Sequence, residues 1–372
     1  MKLIKPGLNH SCAMCGGCCR EKWKIQVDKK DMESLKKADW SKDLPKGKKL
    51  FKKRWNMWVM ETEGNEGCVL MRDNKCLVHA RLGIWGKAAS CIIFPYIFTE
   101  TPDGTYLGLS YACPEAASNR GKALQEQDFE RIARLSSEHG RTIKSRLSLH
   151  DRQISWDTYK LLEEKLAQIL KVKAPLRHRL LYCHILIEET EDKVEKLDEY
   201  LRTLDIEGLI KATDKKNPAP EKRKALLATA ITLLSHQRDQ NPLKAIATYI
   251  RYIQDKDDGL STAVWEDNEP AERYFAHIIE RKSLVRGGDI TDNANMLILA
   301  YSSLEWLSVK NAQKGGRKRP SIEDVTDAIA AVEKSIFTHD MTYMIMMKSQ
   351  LTNMLMAHFF NDPDYARIML GD

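Results

Sequence analysis

The sequence lacks any apolar run long enough to cross a membrane. A transmembrane helix needs about 20 consecutive apolar residues. The nearest candidate, 341–360, therefore predicts a buried helix, because it is interrupted by four polar residues, Lys348, Ser349, Gln350 and Asn353. The opening residues, MKLIKPGLNH, also contain no apolar run of signal-peptide length. These two absences predict a protein that has no membrane span and stays in the cytoplasm.

Cysteine is nearly absent from most of the chain. Only Cys183 lies beyond residue 113. In a reducing cytoplasm, clustered cysteines bind a metal or act in redox chemistry more often than they form disulfides. We therefore expect a metal site, with disulfides or redox thiols as the alternative. The cysteines available for such a site are the N-terminal ones, namely Cys12, Cys15, Cys18, Cys19, Cys68, Cys76, Cys91 and Cys113.

A strong excess of one charge sign is missing as well. The chain has 59 basic and 52 acidic residues, which gives a net charge of +7 over 372 residues. This small positive charge is only weak support for nucleic-acid binding. The basic run 46–54 has no recognition motif beside it. We expect that run to be a solvated loop. The chain also lacks the Gly-x-Gly-x-x-Gly turn that binds dinucleotides.

Hydrophobic periodicity divides the chain into two parts, which together predict an α+β protein. Residues 1–121 contain short segments typical of strands, at 23–27, 92–99 and 106–111, and one helical segment at 28–40. This pattern predicts a small, irregular, cysteine-rich module. A bound metal would stabilise such a module, because binding free energy becomes folding free energy when the site exists only in the folded state.

Residues 122–372 follow the helical period and predict an all-helical domain, with a subdivision near 212–222. Ser321 to Asp324 match a capping box that would start one of these helices. Methionines within 341–356 are expected to pack in a core, because Met fills irregular gaps. The predicted helical segments are 124–146, 156–172, 176–204, 222–236, 243–253, 270–285, 293–310, 321–337 and 339–360.

The first cysteine block places four thiols within residues 12–19, as Cys-Ala-Met-Cys-Gly-Gly-Cys-Cys. Two overlapping Cys-x-x-Cys steps can curl so that Cys12, Cys15 and Cys18 face one centre, and the glycines permit a tight turn. The same spacing opens the bacterial ferredoxin run, whose further ligand is followed by proline. Cys113-Pro114 is a pair of that kind.

The second block is Cys68-x7-Cys76-x2-His79, followed by Cys91 and Cys113. Whether His79 is a ligand stays open, because zinc accepts mixed Cys and His sets whereas iron–sulfur sites usually take cysteines. Four-cysteine zinc sites commonly use two Cys-x-x-Cys knuckles, and the second is missing here. We therefore expect an iron–sulfur cluster, of the [4Fe–4S] type, with structural zinc as the alternative. Eight thiols exceed what one such centre needs, so either two centres exist or one centre leaves several cysteines for packing or redox roles.

These blocks resemble the YkgJ-type cysteine-cluster family of zinc- or iron-chelating proteins. The likeness covers roughly residues 10–120 and rests on the ordered blocks Cys12 to Arg20, Cys76-Leu-Val-His79 and Cys91-Ile-Ile-Phe94-Pro95. The flagellin lysine N-methylase group is similar to this family. The resemblance implies a metal-chelating domain with the eight cysteines as ligands and, in the methylase branch, an iron–sulfur cluster and methyl transfer to protein lysines.

Two functions follow as hypotheses. The first is a protein-lysine N-methyltransferase that acts on a protein substrate, with S-adenosylmethionine as a further cofactor. The second is a non-enzymatic metal-binding or redox-sensing protein whose helical domain docks a macromolecular partner.

Overall fold

The computed structural model describes residues 2–20, 23–63, 67–213, 268–334, 360 and 364–370. The chain divides into two units, Met1–Ile143 and Lys144–Asp372. The predicted helices 222–236, 243–253 and nearly all of 339–360, with its methionines, lie outside the described residues, as does most of the predicted subdivision. Within the described ranges, every helix is too short or too polar to span a membrane.

The first unit is built on a four-stranded sheet. Its strands are β1 (Leu3–Ile4), β6 (Tyr96–Thr101), β7 (Gly104–Leu109) and β8 (Thr142–Lys144), in the order β1-β7-β6-β8. β6 and β7 form an antiparallel hairpin, and β1 runs parallel to β7. The predicted strand 92–99 therefore starts later than expected. Residues 89–93 are helical instead, and because Pro95 cannot continue a helix, the strand begins directly after it.

Shorter elements surround this sheet. β2 (Phe51–Arg54) pairs with β3 (Met57–Met60), and β4 (Met71–Arg72) pairs with β5 (Lys75–Cys76). The predicted strand 23–27 is an extended segment that pairs only through a bridge between Gln26 and Val59. The helices are α1 (Gly17–Arg20), α2 (Lys29–Leu35), α3 (Leu77–Leu82), α4 (Ala89–Ile93), α5 (Pro114–Ala117) and α6 (Glu130–Glu138).

The start of α2 is fixed by a capping box. The Asp31 backbone N–H donates to the Asp28 side chain at 2.8 Å, and the Asp28 N–H donates back to Asp31. The other Asp31 oxygen accepts a 2.9 Å hydrogen bond from the Ala89 backbone. One buried carboxylate thus joins the N-terminal turns of α2 and α4. It holds α4, which carries Cys91, against the rest of the unit.

A hydrophobic core lies beneath the cysteine blocks. Cys68, Cys76 and Cys91 pack against this core from its edge. The ring of Trp40 is fixed in it by a 2.6 Å hydrogen bond from its indole nitrogen to the Leu35 carbonyl. The core residues are Val27, Leu35, Trp40, Met60, Val69, Leu70, Val78 and Ala88. The cysteines are thus carried by segments that the core already holds together.

The second unit is mainly helical in its described parts. The predicted α+β class is confirmed, and Ser321 and Asp324 form the predicted capping box. The 25-residue α12 packs against α8, α13 and α14. The helices are α7 (Trp156–Ile169), α8 (Leu176–Glu189), α9 (Leu197–Thr203), α10 (Ile206–Thr213), α11 (Glu269–Glu280), α12 (Ile290–Lys314), α13 (Ile322–Val332) and α14 (Tyr365–Leu370). A small hairpin of β9 (Ser148–Leu149) and β10 (Arg152–Gln153) precedes them.

Two predicted helices have a different form. Segment 124–146 consists of a 3-10 turn, α6 and β8, and α6 packs against α4 within the first unit. The predicted boundary after residue 121 would place these residues in the second domain, whereas α6 belongs to the first unit. Segment 176–204 is broken at 191–196 by a 3-10 turn of sequence EDKVEK. That stretch has no apolar stripe to bury, so packing does not hold it in a continuous α-helix.

Candidate metal centre

Five of the eight N-terminal cysteines line one cavity of about 50 Å³ in the first unit. Two of them lie on α1, one lies just before β4, one ends β5 and one lies in α4. We call them the inner cysteines: Cys18, Cys19, Cys68, Cys76 and Cys91. Cysteines from segments that are far apart in the sequence therefore line the same cavity.

Two glycines allow the first cysteine block to approach the second. The Cys68 backbone N–H donates to the Cys19 carbonyl at 2.8 Å. At Gly67, where φ is +97°, a Cβ atom would lie 2.1 Å from that same carbonyl oxygen. At Gly16, where φ is +67°, a Cβ atom would lie 2.7 Å from the carbonyl oxygen of Asn74. Only glycine fits both the backbone conformation and the contact at these positions.

Interactions between the Cys19 thiol and the sulfurs of Cys18 and Cys76 shift the pKa values of all three groups. They lower the pKa of Cys18 to about 7 and that of Cys76 to about 6, and they raise the pKa of Cys19. Backbone N–H groups of Val78 and His79 further lower the pKa of Cys76. The thiolate is the form of cysteine that binds metals. Two inner sulfurs are therefore poised to ionise near neutral pH.

The other two inner cysteines are more deeply buried. Burial raises the pKa of Cys68 to about 11, and it raises the pKa of Cys91 as well. Both thiols therefore keep their protons at neutral pH in the metal-free chain. A metal that binds them must displace those protons.

A buried lysine faces these sulfurs. Lys87 is 8% exposed and lines the same cavity. Burial alone would lower the pKa of its ammonium group, but the sulfurs of Cys91 and Cys12 raise it above its ordinary value. A cation in this position offsets the negative charge of thiolates. Sequence reasoning missed Lys87, and the available signal was a single lysine in the otherwise uncharged stretch 82–99.

The remaining three cysteines, which we call the outer cysteines, lie outside the lining of the cavity. Cys12 is exposed, with its sulfur 3.7 Å from Nδ1 of His79. Cys15 lies beside Gly17, close to Pro114. Cys113 has its sulfur 3.7 Å from Nε2 of a histidine near the N-terminus. Each outer cysteine thus has its own polar or close-packed neighbour.

That histidine is His10, which sequence reasoning also missed. It is buried, and its Nδ1 lies 3.1 Å from the hydroxyl of Tyr96. Burial, helped by the charge of Lys87, lowers the pKa of His10 to about 4, so the ring is neutral at neutral pH. A neutral imidazole held at one nitrogen and directed at Cys113 with the other is typical of groups that orient a metal ligand. The signal in the sequence was the spacing His10-x-Cys12.

The grouping differs from the expected one. Cys12, Cys15 and Cys18 were predicted to face one centre, but only Cys18 lines the cavity. The cause is local, because α1 begins at Gly17 and its turn carries Cys18 and Cys19 inward. Cys12 and Cys15 stay on the loop that precedes this helix. His79 lies beside Cys12 and is absent from the cavity wall.

The donor set fits a thiolate-bound metal. Across the described ranges, no three Cys, His, Asp or Glu side chains already surround a single point as metal ligands do, and the inner sulfurs are no exception. Their chemistry is nevertheless the soft sulfur chemistry that zinc and iron–sulfur clusters select. Four cysteines are enough for either group, and the inner set offers five. Backbone N–H donors and a buried cation complete the surroundings.

Residues 11–114 match a family model named CxxCxxCC and described as a "putative zinc- or iron-chelating domain". This range contains all eight N-terminal cysteines. The match supports the cysteine-cluster family for this part of the chain, and it supports metal binding by it. Residues 11–114 are therefore similar to a metal-chelating, cysteine-cluster domain.

One curated relative is similar to part of this chain. An uncharacterized protein of Methanocaldococcus jannaschii is 29% identical over 102 residues, which is 27% of this chain and 34% of the relative. The chain thus spans about a third of the length of the relative that it matches. No solved structure matches the chain. Protein-lysine methyl transfer, S-adenosylmethionine binding, a protein partner and a cytoplasmic location stay predictions.

Proposed function

We propose that the first unit binds a [4Fe–4S] cluster through four of its five inner cysteines and that the protein is a metal-binding, redox-sensing protein. The observation that supports this proposal is the cavity of about 50 Å³ among the inner sulfurs. A single zinc ion binds four sulfurs at about 2.3 Å, so its ligands need less room between them than the ligands of a cluster do. A core of iron and sulfide needs such a space.

The residues around the cavity suit this occupant. The rings of Trp23 and Phe94 both line it and meet edge to face, with centroids 4.8 Å apart. They give the cavity an apolar wall that excludes water. Backbone N–H groups of Leu70 and Val78 donate toward the sulfurs of Cys68 and Cys76. When bound, a cluster supplies one-electron chemistry, and hydrogen bonds to its sulfurs tune the reduction potential.

Anaerobic purification tests the proposal. We expect about four iron and four sulfide ions per chain, with a broad visible absorbance that bleaches on reduction. Elemental analysis and an absorption spectrum of the full chain provide the measurement. A colourless protein with stoichiometric zinc would overturn the proposal and establish the zinc alternative.

Lys87→Met gives a second prediction. Methionine keeps most of the side-chain volume but removes the positive charge. That charge stabilises the reduced state of a bound cluster, because the reduced state is the more negative one. We expect the midpoint potential to fall by tens of millivolts, as measured by a redox titration followed by absorbance. Lys87→Arg keeps the charge and should shift the potential less. Lys37→Met changes an exposed lysine of the same unit and should leave the potential unchanged.

Equal potentials in the wild type and in Lys87→Met would show that the charge of Lys87 does not act on the cluster. That result would leave cluster binding itself intact, because iron content is measured on the same samples.

A further inference from the structure

The β2–β3 hairpin projects from the first unit with an apolar tip. Its two-residue loop is Trp55-Asn56, and Trp55 is 95% exposed. Met57 and Trp58, the first residues of β3, are 47% and 42% exposed. The base of the hairpin is different, because Val59 and Met60 are buried. The hairpin is thus anchored at one end and exposed at the other.

Cations lie directly behind this tip. Residues 46–60 contain six lysines and arginines and no acidic residue. Lys52 pairs with Glu61, whereas Lys53 and Arg54 are exposed and make no ion pair within the described part of the chain. Exposed lysines at 46, 48 and 49 continue the positive charge away from the tip. The run 46–54, expected to be a solvated loop, therefore includes one strand of a hairpin.

The pairing register shows that the apolar and basic groups occupy both faces. Lys53 is opposite Trp58 on one face, and Arg54 is opposite Met57 on the other. Trp55 stands at the apex between the two faces. A platform for single-stranded nucleic acid stacks bases along one supported surface. This tip is apolar on both faces and has cations behind it. Such a tip instead suits a lipid bilayer, whose interior is apolar and whose headgroups can be anionic.

We propose that this hairpin tip inserts into the headgroup region of an anionic lipid bilayer, as a peripheral attachment that is independent of the metal centre. Tryptophan favours the membrane–water interface, because its ring is apolar and its N–H remains able to hydrogen-bond. Lys53 and Arg54 would lie at the level of the lipid phosphates. Charge complementarity between these cations and anionic headgroups selects the lipid.

The backbone at the apex gives a well-matched test. Trp55 has φ of +54°, in the left-handed region that a bulky residue rarely adopts. Trp55→Gly therefore suits the turn better than tryptophan does, while it removes the whole indole. The hairpin should fold at least as well in this variant, so any loss of binding reports on the side chain.

The experiment is cosedimentation of the full chain with vesicles of phosphatidylcholine containing about one third phosphatidylserine. We expect Trp55→Gly to weaken partitioning about tenfold. The double variant Lys53→Ala/Arg54→Ala should weaken it about 25-fold, at about fivefold for each cation. Binding should fall as salt rises, and vesicles of phosphatidylcholine alone should bind weakly.

Lys36→Ala/Lys37→Ala is the matched control, because it removes two exposed lysines that follow α2 and do not belong to the hairpin. It should bind like the wild type within about twofold, since its charges lie off the contact surface. Wild-type binding by Trp55→Gly, or no binding of the wild type to anionic vesicles at low salt, would overturn the proposal. Binding of oligothymidylate without binding of vesicles would also overturn it, and would assign the surface to single-stranded nucleic acid.

Discussion

Replacing Cys76 with serine is expected to remove most of the metal that the first unit retains. Cys76 has the lowest pKa of the inner cysteines, at about 6, because the neighbouring Cys19 thiol and the backbone N–H groups of His79 and Val78 favour its thiolate. Structural metal sites bind with roughly 10–16 kcal/mol. One ligand of four then accounts for roughly 2.5–4 kcal/mol, so the affinity should fall by about two to three orders of magnitude.

Metal content after anaerobic gel filtration, and competition with a chelator, measure this loss. Cys183→Ser is the control, because Cys183 is a buried cysteine in α8 of the second unit. Its sulfur lies near the Leu166 carbonyl, at 3.8 Å, among helical residues. It should retain the wild-type metal content. If Cys76→Ser and Cys183→Ser retain equal amounts of metal, Cys76 is not a ligand.

Gly67→Ala is expected to separate the two cysteine blocks. The new methyl group would lie 2.1 Å from the Cys19 carbonyl oxygen, which is backbone and cannot rotate away. The left-handed φ of +97° adds strain for any residue with a Cβ atom. Backbone strain and overpacking each cost about 1–3 kcal/mol. The first unit should therefore lose roughly 3–5 kcal/mol of unfolding free energy, together with its metal.

Urea unfolding followed by tryptophan fluorescence measures that loss, because five of the eight tryptophans precede residue 86. Gly47→Ala is the matched control. Gly47 also has a left-handed φ, of +77°, but a Cβ atom there would meet nothing within 4 Å. It should lose only about 1–2 kcal/mol and keep its metal. Similar losses in both variants would show that the contact with Cys19 is unimportant.

The sequence was sufficient to predict the parts of this fold that depend on local chemistry. Spacing alone indicated the cysteine blocks, and the pattern Ser321 to Asp324 predicted a helix start that the structure confirms. The α+β class followed from the change of hydrophobic period near residue 121. Each of these features depends on residues within a few positions of one another, so a local pattern can reveal it.

The division between inner and outer cysteines could not be predicted, because tertiary contacts decide it. Cys18 and Cys91 are 73 positions apart in the sequence, yet they line one cavity. Lys87 and His10 were missed for the same reason. Each is a single polar residue whose role appears only when the chain places it beside a sulfur that comes from elsewhere. Similarly, α4 occupies the start of the predicted strand 92–99. Asp31 of α2 accepts a hydrogen bond from the backbone of Ala89, the first residue of α4.

The hydrogen bond between the backbones of Cys68 and Cys19 also bears on the order of events during synthesis. A nascent chain that has emerged only as far as residue 19 already carries four thiols, but it lacks the segment that seats them. The last inner cysteine, Cys91, emerges 72 residues later. The thiols of residues 12–19 therefore leave the ribosome well before all five inner cysteines have been synthesised. We expect metal to be acquired only after residue 91 is free to fold, with the early thiols vulnerable to oxidation until then.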